Sequence, residues 1–309
     1  MEEVKRWKNK ALVSTPSPEP VEPKPKSSTN AKKSGESIDA AVEAPRLEAP
    51  RLEARSTGES SRLRGASFLP PLLATAYLLA NELLKLSYPA MACLKVLPIA
   101  TLCLLVATIP RHPSDPPQSY AKFVALGLGL SGCGDMLLEL EPMVAGDLLF
   151  LLGLGAFLAA HWLYIQAFAS HLAACRQQAA LPADPLSLPL AAACGAYAAS
   201  FFQLLRSSGD MAPTLQPPVA FYAFSIGTML WFALRVFRAP SAPGGSNSSS
   251  KSGGVRSGVA LVGALLFVVS DSVLGYNKFV APLAHQKVAV MVTYYGAQIC
   301  LAFSAAGGR

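Results

Sequence analysis

The chain has 309 residues, 52% of them hydrophobic and 15% charged, with a formal net charge of +7. Residues 1–65 hold 13 Lys/Arg and 10 Asp/Glu, whereas residues 66–309 hold only 13 and 9, or 22 charges in 244 positions. A soluble domain has about 25% charged residues, so the second part is no ordinary water-facing globule, and its outer surface is expected to face lipid. Its basic residues sit singly at the ends of apolar runs, not on one face, which argues against a nucleic-acid partner.

Residues 1–65 form the first region, a charged Pro/Ser-rich tail with seven prolines and a tandem repeat, Glu43-Ala-Pro-Arg-Leu47 followed by Glu48-Ala-Pro-Arg-Leu52. Such a composition buries too little apolar area to offset chain entropy, so the tail is predicted to be disordered. No apolar signal-peptide core precedes residue 66, and ten acidic residues argue against an organellar transit peptide.

The second region, 66–309, reads as apolar runs of spanning length. A helix crossing a hydrocarbon core needs about 20 residues. The runs predict eight transmembrane helices: 66–84, 88–109, 121–138, 143–169, 186–205, 217–238, 256–276 and 286–305. The first is the weakest, because Pro70-Pro71 and the Glu82/Lys85 pair interrupt it. The separators carry turn chemistry, notably Pro110–Pro117, Pro182–Pro185, Ser207–Asp210 and a Gly/Ser run at 244–254. The fold class is therefore an all-α integral membrane bundle of about eight helices behind a disordered tail.

With the N-terminus inside, the inner loops hold Arg111, Lys122, Arg176, Arg235, Arg238, Lys251, Arg256 and Arg309. The outer loops hold only Lys85, Arg206, Lys278 and Lys287. That asymmetry predicts two cytosolic termini. The six cysteines show no C-x-x-C pair, and all but Cys175 fall inside spans, where a thiol packs as a small apolar group. Neither a disulfide framework nor a zinc site is supported.

Ionisable groups inside apolar runs are the informative residues. A carboxylate near mid-membrane costs about 2.5–3.5 kcal/mol to insert, so it faces a partner or a cavity and marks function. Asp135, in Leu130-Ser-Gly-Cys-Gly-Asp, and Asp271, in Leu266-Phe-Val-Val-Ser-Asp, each lie about 15 residues into a span running from inside to outside. They are expected to share one depth, toward the outer half. Gly132 and Gly134 would let another backbone approach Asp135. A single Asp is also compatible with a hydrogen bond across a helix interface; a pair at matched depth points to chemistry. Of lower rank are Lys95, Asp147, His161, Tyr164, Asn277, Tyr294, Tyr295 and Gln298. His161 suits packing as well as it suits a base, and the tyrosines suit an interfacial belt. Glu139 and Glu141, at the end of the third span, read as solvated.

Three motifs in order carry a resemblance. Phe123-x6-Leu-Ser-Gly-Cys-Gly-Asp135, then Gly146-x10-Phe157-x3-His161-x2-Tyr164-x2-Ala-Phe168, resembles the first signature of the YhhN-like lysoplasmalogenase family. Gly263-Ala-Leu-Leu-Phe-Val-Val-Ser-Asp271, Asn277-Lys-Phe279, Pro282-Leu-x-His285 and Met291-Val-Thr-Tyr-Tyr-Gly-Ala-Gln298 resemble the second, in its animal form. Leu94-Lys-Val-Leu-Pro98 matches an early Lys-x-x-Pro element. The similarity runs from about 66 to 305. The tail has no counterpart, and Leu-Leu-Glu139 stands where relatives often have Leu-Ile-Trp.

The resemblance implies hydrolysis of the vinyl ether of lysoplasmalogens to a fatty aldehyde and glycerophospho-ethanolamine or -choline. It places Asp135 and Asp271 as catalytic residues and Lys95, His161, Tyr164, Asn277, Tyr294, Tyr295 and Gln298 around the substrate. The substrate is a lysophospholipid arriving through the bilayer, and the endoplasmic reticulum membrane is the implied location. The slow step protonates the β-carbon and needs a carboxyl still carrying its proton near neutral pH. A second, ionised carboxylate then steadies the oxocarbenium ion and accepts a proton from water, as in glycoside hydrolysis. No cofactor or metal is required by this scheme. Which aspartate is the acid stays open; the glycine-rich surround of Asp135 favours it. Two other classes fit part of the pattern. A proton-coupled transporter also uses paired intramembrane aspartates, but no internal repeat appears. An aspartyl intramembrane protease matches Gly132-Cys-Gly-Asp135, but its Tyr-Asp and Pro-Ala-Leu companions are missing.

Overall fold

A computed structural model describes residues 68–84, 86–109, 116–178, 184–239 and 247–306, all within the compact unit Pro50–Arg309. The tail 1–65 and its predicted disorder lie outside the described residues. The described residues form eight α-helices: α1 (68–83), α2 (Tyr88–Thr108), α3 (Gln118–Leu140), α4 (Leu148–Gln178), α5 (Ser187–Ser207), α6 (Gln216–Arg238), α7 (Asn247–Phe279) and α8 (Gln286–Ala305). A single 3₁₀ turn, Glu141–Met143, follows α3.

Seven of these helices, α2 to α8, are long and apolar enough to cross a membrane, and the chain is an integral membrane protein. The weakest predicted span, α1, is also the shortest, 16 residues and about 24 Å at the helical rise of ~1.5 Å per residue. Pro70 and Pro71 sit in its first turn, where a missing backbone N–H costs nothing.

Two helices outrun their expected ends. α4 continues to Gln178, not 169, and so includes Cys175. α7 begins at Asn247, so much of the Gly/Ser run expected to be a loop is helical. Once a spanning segment has nucleated a helix, each added turn outside the apolar layer costs only local propensity, and hydropathy does not register it. All six cysteines are free, with Cys93 and Cys133 exposed on outward faces and Cys194 buried.

Helix neighbours close a ring: α2 packs on α3, α3 on α4, α4 on α6, α6 on α7, α7 on α8, and α8 back on α2. α5 stands outside the ring, packing chiefly on α6 and lightly on α7. The innermost helix is α8, whose apolar window is 56% buried against 17% for α5. α7 and α8 meet closely at Gly263, where a Cβ would come within 3.1 Å of the Ala297 carbonyl oxygen. The core between the helices is aromatic, with Tyr77, Tyr164, Phe168 and Phe267 fully enclosed.

Candidate active site

A cavity of about 290 Å³ opens between α2, α3, α4, α5, α6, α7 and α8. It lies near the end of the bundle where α3 and α7 finish and α8 begins, since Glu141, Lys278, Phe279 and Gln286 are among its lining residues. Phe157, Phe201, Val219, Ile226 and Val268 form apolar walls. Asp135 and Asp271 both face into it. Two carboxylates 136 positions apart in the chain thus share one pocket because α3 and α7 end at the same level.

Asp135 lies on α3 in a network of charge. Lys95 on α2 places its ammonium 3.5 Å from Asp135 Oδ1 and 3.4 Å from Glu139 Oε2. Tyr294 on α8 donates its hydroxyl to Asp135 Oδ2 at 2.6 Å. Glu139 also accepts from Lys287 at 2.8 Å and from Tyr77 at 3.1 Å. The Lys95 backbone is tied to α8: Tyr295 donates to the Lys95 carbonyl at 2.9 Å, while Pro98 lacks the N–H that would bond the neighbouring Leu94 carbonyl. Behind Asp135, a Cβ on Gly134 would come within 2.6 Å of the Phe157 ring. The glycines therefore admit side chains, not the backbone expected from the sequence: Phe157 beside Gly134, and Val96 and Ile99 in ordinary contact with Gly132.

No lysine or arginine pairs with Asp271 among the described residues. Tyr222 on α6 donates to its Oδ2 at 2.5 Å. His161 on α4 places Nε2 at 3.8 Å from the same oxygen, too far for a hydrogen bond. The imidazole is fully buried, edge-on to Phe267 and Tyr222 with ring centroids 4.8 and 5.0 Å away. Neither of its nitrogens has a hydrogen-bond partner among the described residues. Phe267, one turn before Asp271 on α7, also meets Tyr294 edge-on at 5.7 Å, so one ring contacts the surroundings of both aspartates.

Of the residues expected around a substrate, Lys95 and Tyr294 line the cavity with the two aspartates. Tyr164 and Gln298 form a buried layer behind it, the Tyr164 hydroxyl donating to Gln298 Oε1 at 2.8 Å. Tyr295 packs edge-on to Tyr77 at 6.1 Å. None of the tyrosines at 164, 294 and 295 lies in an interfacial belt; all three are buried. Asn277 lies outside the cavity lining and accepts the Leu283 backbone N–H at 2.9 Å, fixing the α7–α8 turn. Asp147 is exposed before α4.

Glu139, expected in solvent, is 7% exposed and bridges Lys95 and Lys287. Its partner Lys287 lies 148 residues later, beyond the reach of any local pattern. Glu141 is half-buried and receives a hydrogen bond from Lys278 at 2.5 Å. Tyr222, Tyr77 and Lys287 were not singled out in the sequence. Tyr222 sits in an apolar run where a phenol reads as one more aromatic, and only its hydroxyl's contact with Asp271 distinguishes it.

Residues 90–305 match the YhhN family. The chain is 33% identical over 215 residues to lysoplasmalogenase TMEM86B of Homo sapiens, covering 69% of this chain and 74% of that protein. It is 30% identical over 215 residues to lysoplasmalogenase TMEM86B of Sus scrofa, with the same shares covered. Lysoplasmalogenase TMEM86A of Homo sapiens is 28% identical over 221 residues, 70% of this chain and 78% of that protein. No solved structure matches.

Proposed function

The chain belongs to the YhhN family, and we propose that it is a lysoplasmalogenase, the activity in the names of its relatives. Its substrates on this reading are 1-alkenyl-glycerophosphoethanolamine and -choline, taken from the bilayer. The observation that carries the reading is the pair Asp135 and Asp271 lining one largely apolar cavity.

The two carboxylates divide the work by their partners. Lys95 stabilises the carboxylate form of Asp135, so Asp135 is assigned as the anion and base. Asp271, with a phenol beside it and no lysine among the described residues, is assigned as the acid. This reverses the assignment that the glycines around Asp135 favoured. Asp271 gives its proton to the β-carbon of the vinyl ether, and the double-bond electrons form the new C–H bond. The α-carbon becomes an oxocarbenium ion facing the Asp135 carboxylate. Water adds to that carbon and passes a proton to Asp135, giving a hemiacetal. On collapse, Asp135 returns the proton to the departing glycerol oxygen and the hemiacetal hydroxyl proton goes to Asp271. Aldehyde and glycerophospho-alcohol leave, and both acids recover their starting states.

We further assign catalysis to 66–309, with 1–65 a cytosolic tail, both termini cytosolic and the endoplasmic reticulum as the location. Removing 1–62 then leaves specific activity unchanged within about twofold. The direct test is fatty-aldehyde release from a defined lysoplasmalogen by the purified protein in detergent. Release is expected; a folded preparation that releases none overturns the reading.

A further inference from the structure

The rim of the cavity carries charges that the two-carboxylate chemistry leaves unused. Lys278, at the end of α7, pairs with Glu141 just past α3, and Lys287, at the start of α8, pairs with Glu139. All four line the cavity that holds Asp135 and Asp271. The Lys278 and Glu141 side chains are 32% and 27% exposed. An ion pair in contact with solvent adds little stability, so holding α3 to α7 does not account for its position over the cavity.

Resting on the lysoplasmalogenase reading, we propose that this rim is a subsite for a zwitterionic phospho-head group, with Lys278 and Lys287 taking the phosphodiester and Glu141 the ammonium. Each rim charge already faces an opposite charge. A zwitterion can exchange into both halves of such pairs, phosphate against lysine and ammonium against glutamate, with no charge left over. A head group that is only anionic leaves Glu141 without a cation and adds negative charge beside it, which repels. The spacing agrees. Asp135 and Glu139 are four residues apart on α3, about 6 Å of helical rise, and Glu139 marks the position of Lys287. That is on the scale of a glycerol backbone joining a vinyl ether at the aspartates to a phosphate at the lysines. Lys278 lies seven residues beyond Asp271 on α7, about 10 Å further toward the rim, where the outer part of a head group ends. Its ammonium also rests over the Phe150 ring, 4.6 Å from the centroid, which keeps it at the cavity edge.

Neither Lys278 nor Glu141 touches an aspartate in any ion pair or hydrogen bond described above, so their variants report on the rim alone. Wild type, Glu141→Gln and Lys278→Met would be assayed for aldehyde release on three substrates. These are 1-alkenyl-glycerophosphoethanolamine, the 1-alkenyl-glycerol 3-phosphate that lacks an ammonium, and 1-alkenyl-glycerol that lacks a head group. Wild type is expected to favour the ethanolamine lipid over the phosphate monoester by about tenfold or more in kcat/KM, and Glu141→Gln to shrink that ratio. Lys278→Met is expected to raise KM about fivefold or more for the ethanolamine lipid, and to shift the head-group-free substrate far less. An unchanged ratio in Glu141→Gln, or an equal KM shift on the head-group-free substrate, overturns the subsite. If folded wild type turns over none of the three, the lysoplasmalogenase reading fails instead. Binding of the 1-alkyl ether analogue of the ethanolamine lipid to wild type and to Lys278→Met then decides the subsite separately: weaker binding to the variant supports it, and equal binding overturns it.

Discussion

On the α2–α3–α8 side of the cavity, Asp135 has an ammonium at 3.5 Å and a phenol at 2.6 Å, and one helical turn away Glu139 brings a second lysine. On the α4–α6–α7 side, Asp271 has a phenol at 2.5 Å and an imidazole at 3.8 Å, with aromatic rings behind. The same side-chain type is thus set in a charged network and in an uncharged one, within a single pocket. A carboxyl is held as an anion where a lysine offsets its buried charge, and holds a proton more readily where nothing does. On our reading, this difference in partners, and not any difference between the aspartates themselves, separates base from acid.

The sharpest test removes one side at a time. Asp135→Asn and Asp271→Asn are each expected to lower aldehyde release by at least about 100-fold, the scale of positioned proton transfer. Asn keeps the shape and most of the hydrogen bonding. Groups that act as one unit are not additive, so the double variant should be hardly worse than either single one. Near-normal turnover in either variant, measured on folded protein, would break the division of labour.

Lys95 separates the two sides by stability. Lys95→Met leaves Asp135 and Glu139 buried without their shared cation, a change expected to cost about 3–5 kcal/mol. Thermal unfolding in detergent would show it. Adding Asp135→Asn removes one of the stranded charges and should recover part of the loss. The same Asn beside an intact Lys95 strands the ammonium with Glu139 alone and should lower stability. If Asp135→Asn has the same sign in both backgrounds, the ion pair is not what holds this side.

Most of the bundle was legible before the structure, and part of the site was. The apolar runs located α2 to α8 because hydropathy reports the lipid layer directly; α4 and α7 ran past their expected ends because a helix outside that layer leaves no hydropathic mark. Asp135 and Asp271 stood out because charge is costly in an apolar run. Lys95, Tyr294 and His161 stood out only as lower-rank polar residues and Tyr222 not at all, and none could be paired with its aspartate. Tyr294 reaches Asp135 across 159 positions, and Tyr222 reaches Asp271 across 49. Glu139 was misplaced because the end of a span says nothing of a lysine on another helix. Single-residue chemistry could be read locally, whereas pairing depended on packing.

The phenols test the comparison at a finer scale. Tyr294→Phe removes a hydrogen bond to the carboxylate assigned as ionised, a kind of bond worth about 1.5–3 kcal/mol, so turnover should fall about tenfold or more. Tyr222→Phe removes a bond to the neutral acid, worth about 0.5–1.5 kcal/mol, so the fall should be about threefold to tenfold. The reverse order would exchange the roles of the two aspartates.

His161 should give the smallest effect. Its ring is fully buried beside Asp271, yet neither nitrogen is hydrogen-bonded among the described residues, an arrangement that costs stability. His161→Phe fills a similar space without stranded polar atoms and is expected to raise the thermal midpoint. If the imidazole also steadies Asp271 from 3.8 Å, the same variant should lose about threefold in turnover, less than a direct hydrogen bond supplies. His161→Gln, which keeps a donor near Asp271, should retain more activity than His161→Phe. A stability gain with unchanged turnover would reduce His161 to packing against Phe267 and Tyr222. A His161 variant as inactive as the Asp271 variant would make the imidazole a proton-transfer group, and the uncharged side would then contain two such groups in place of one.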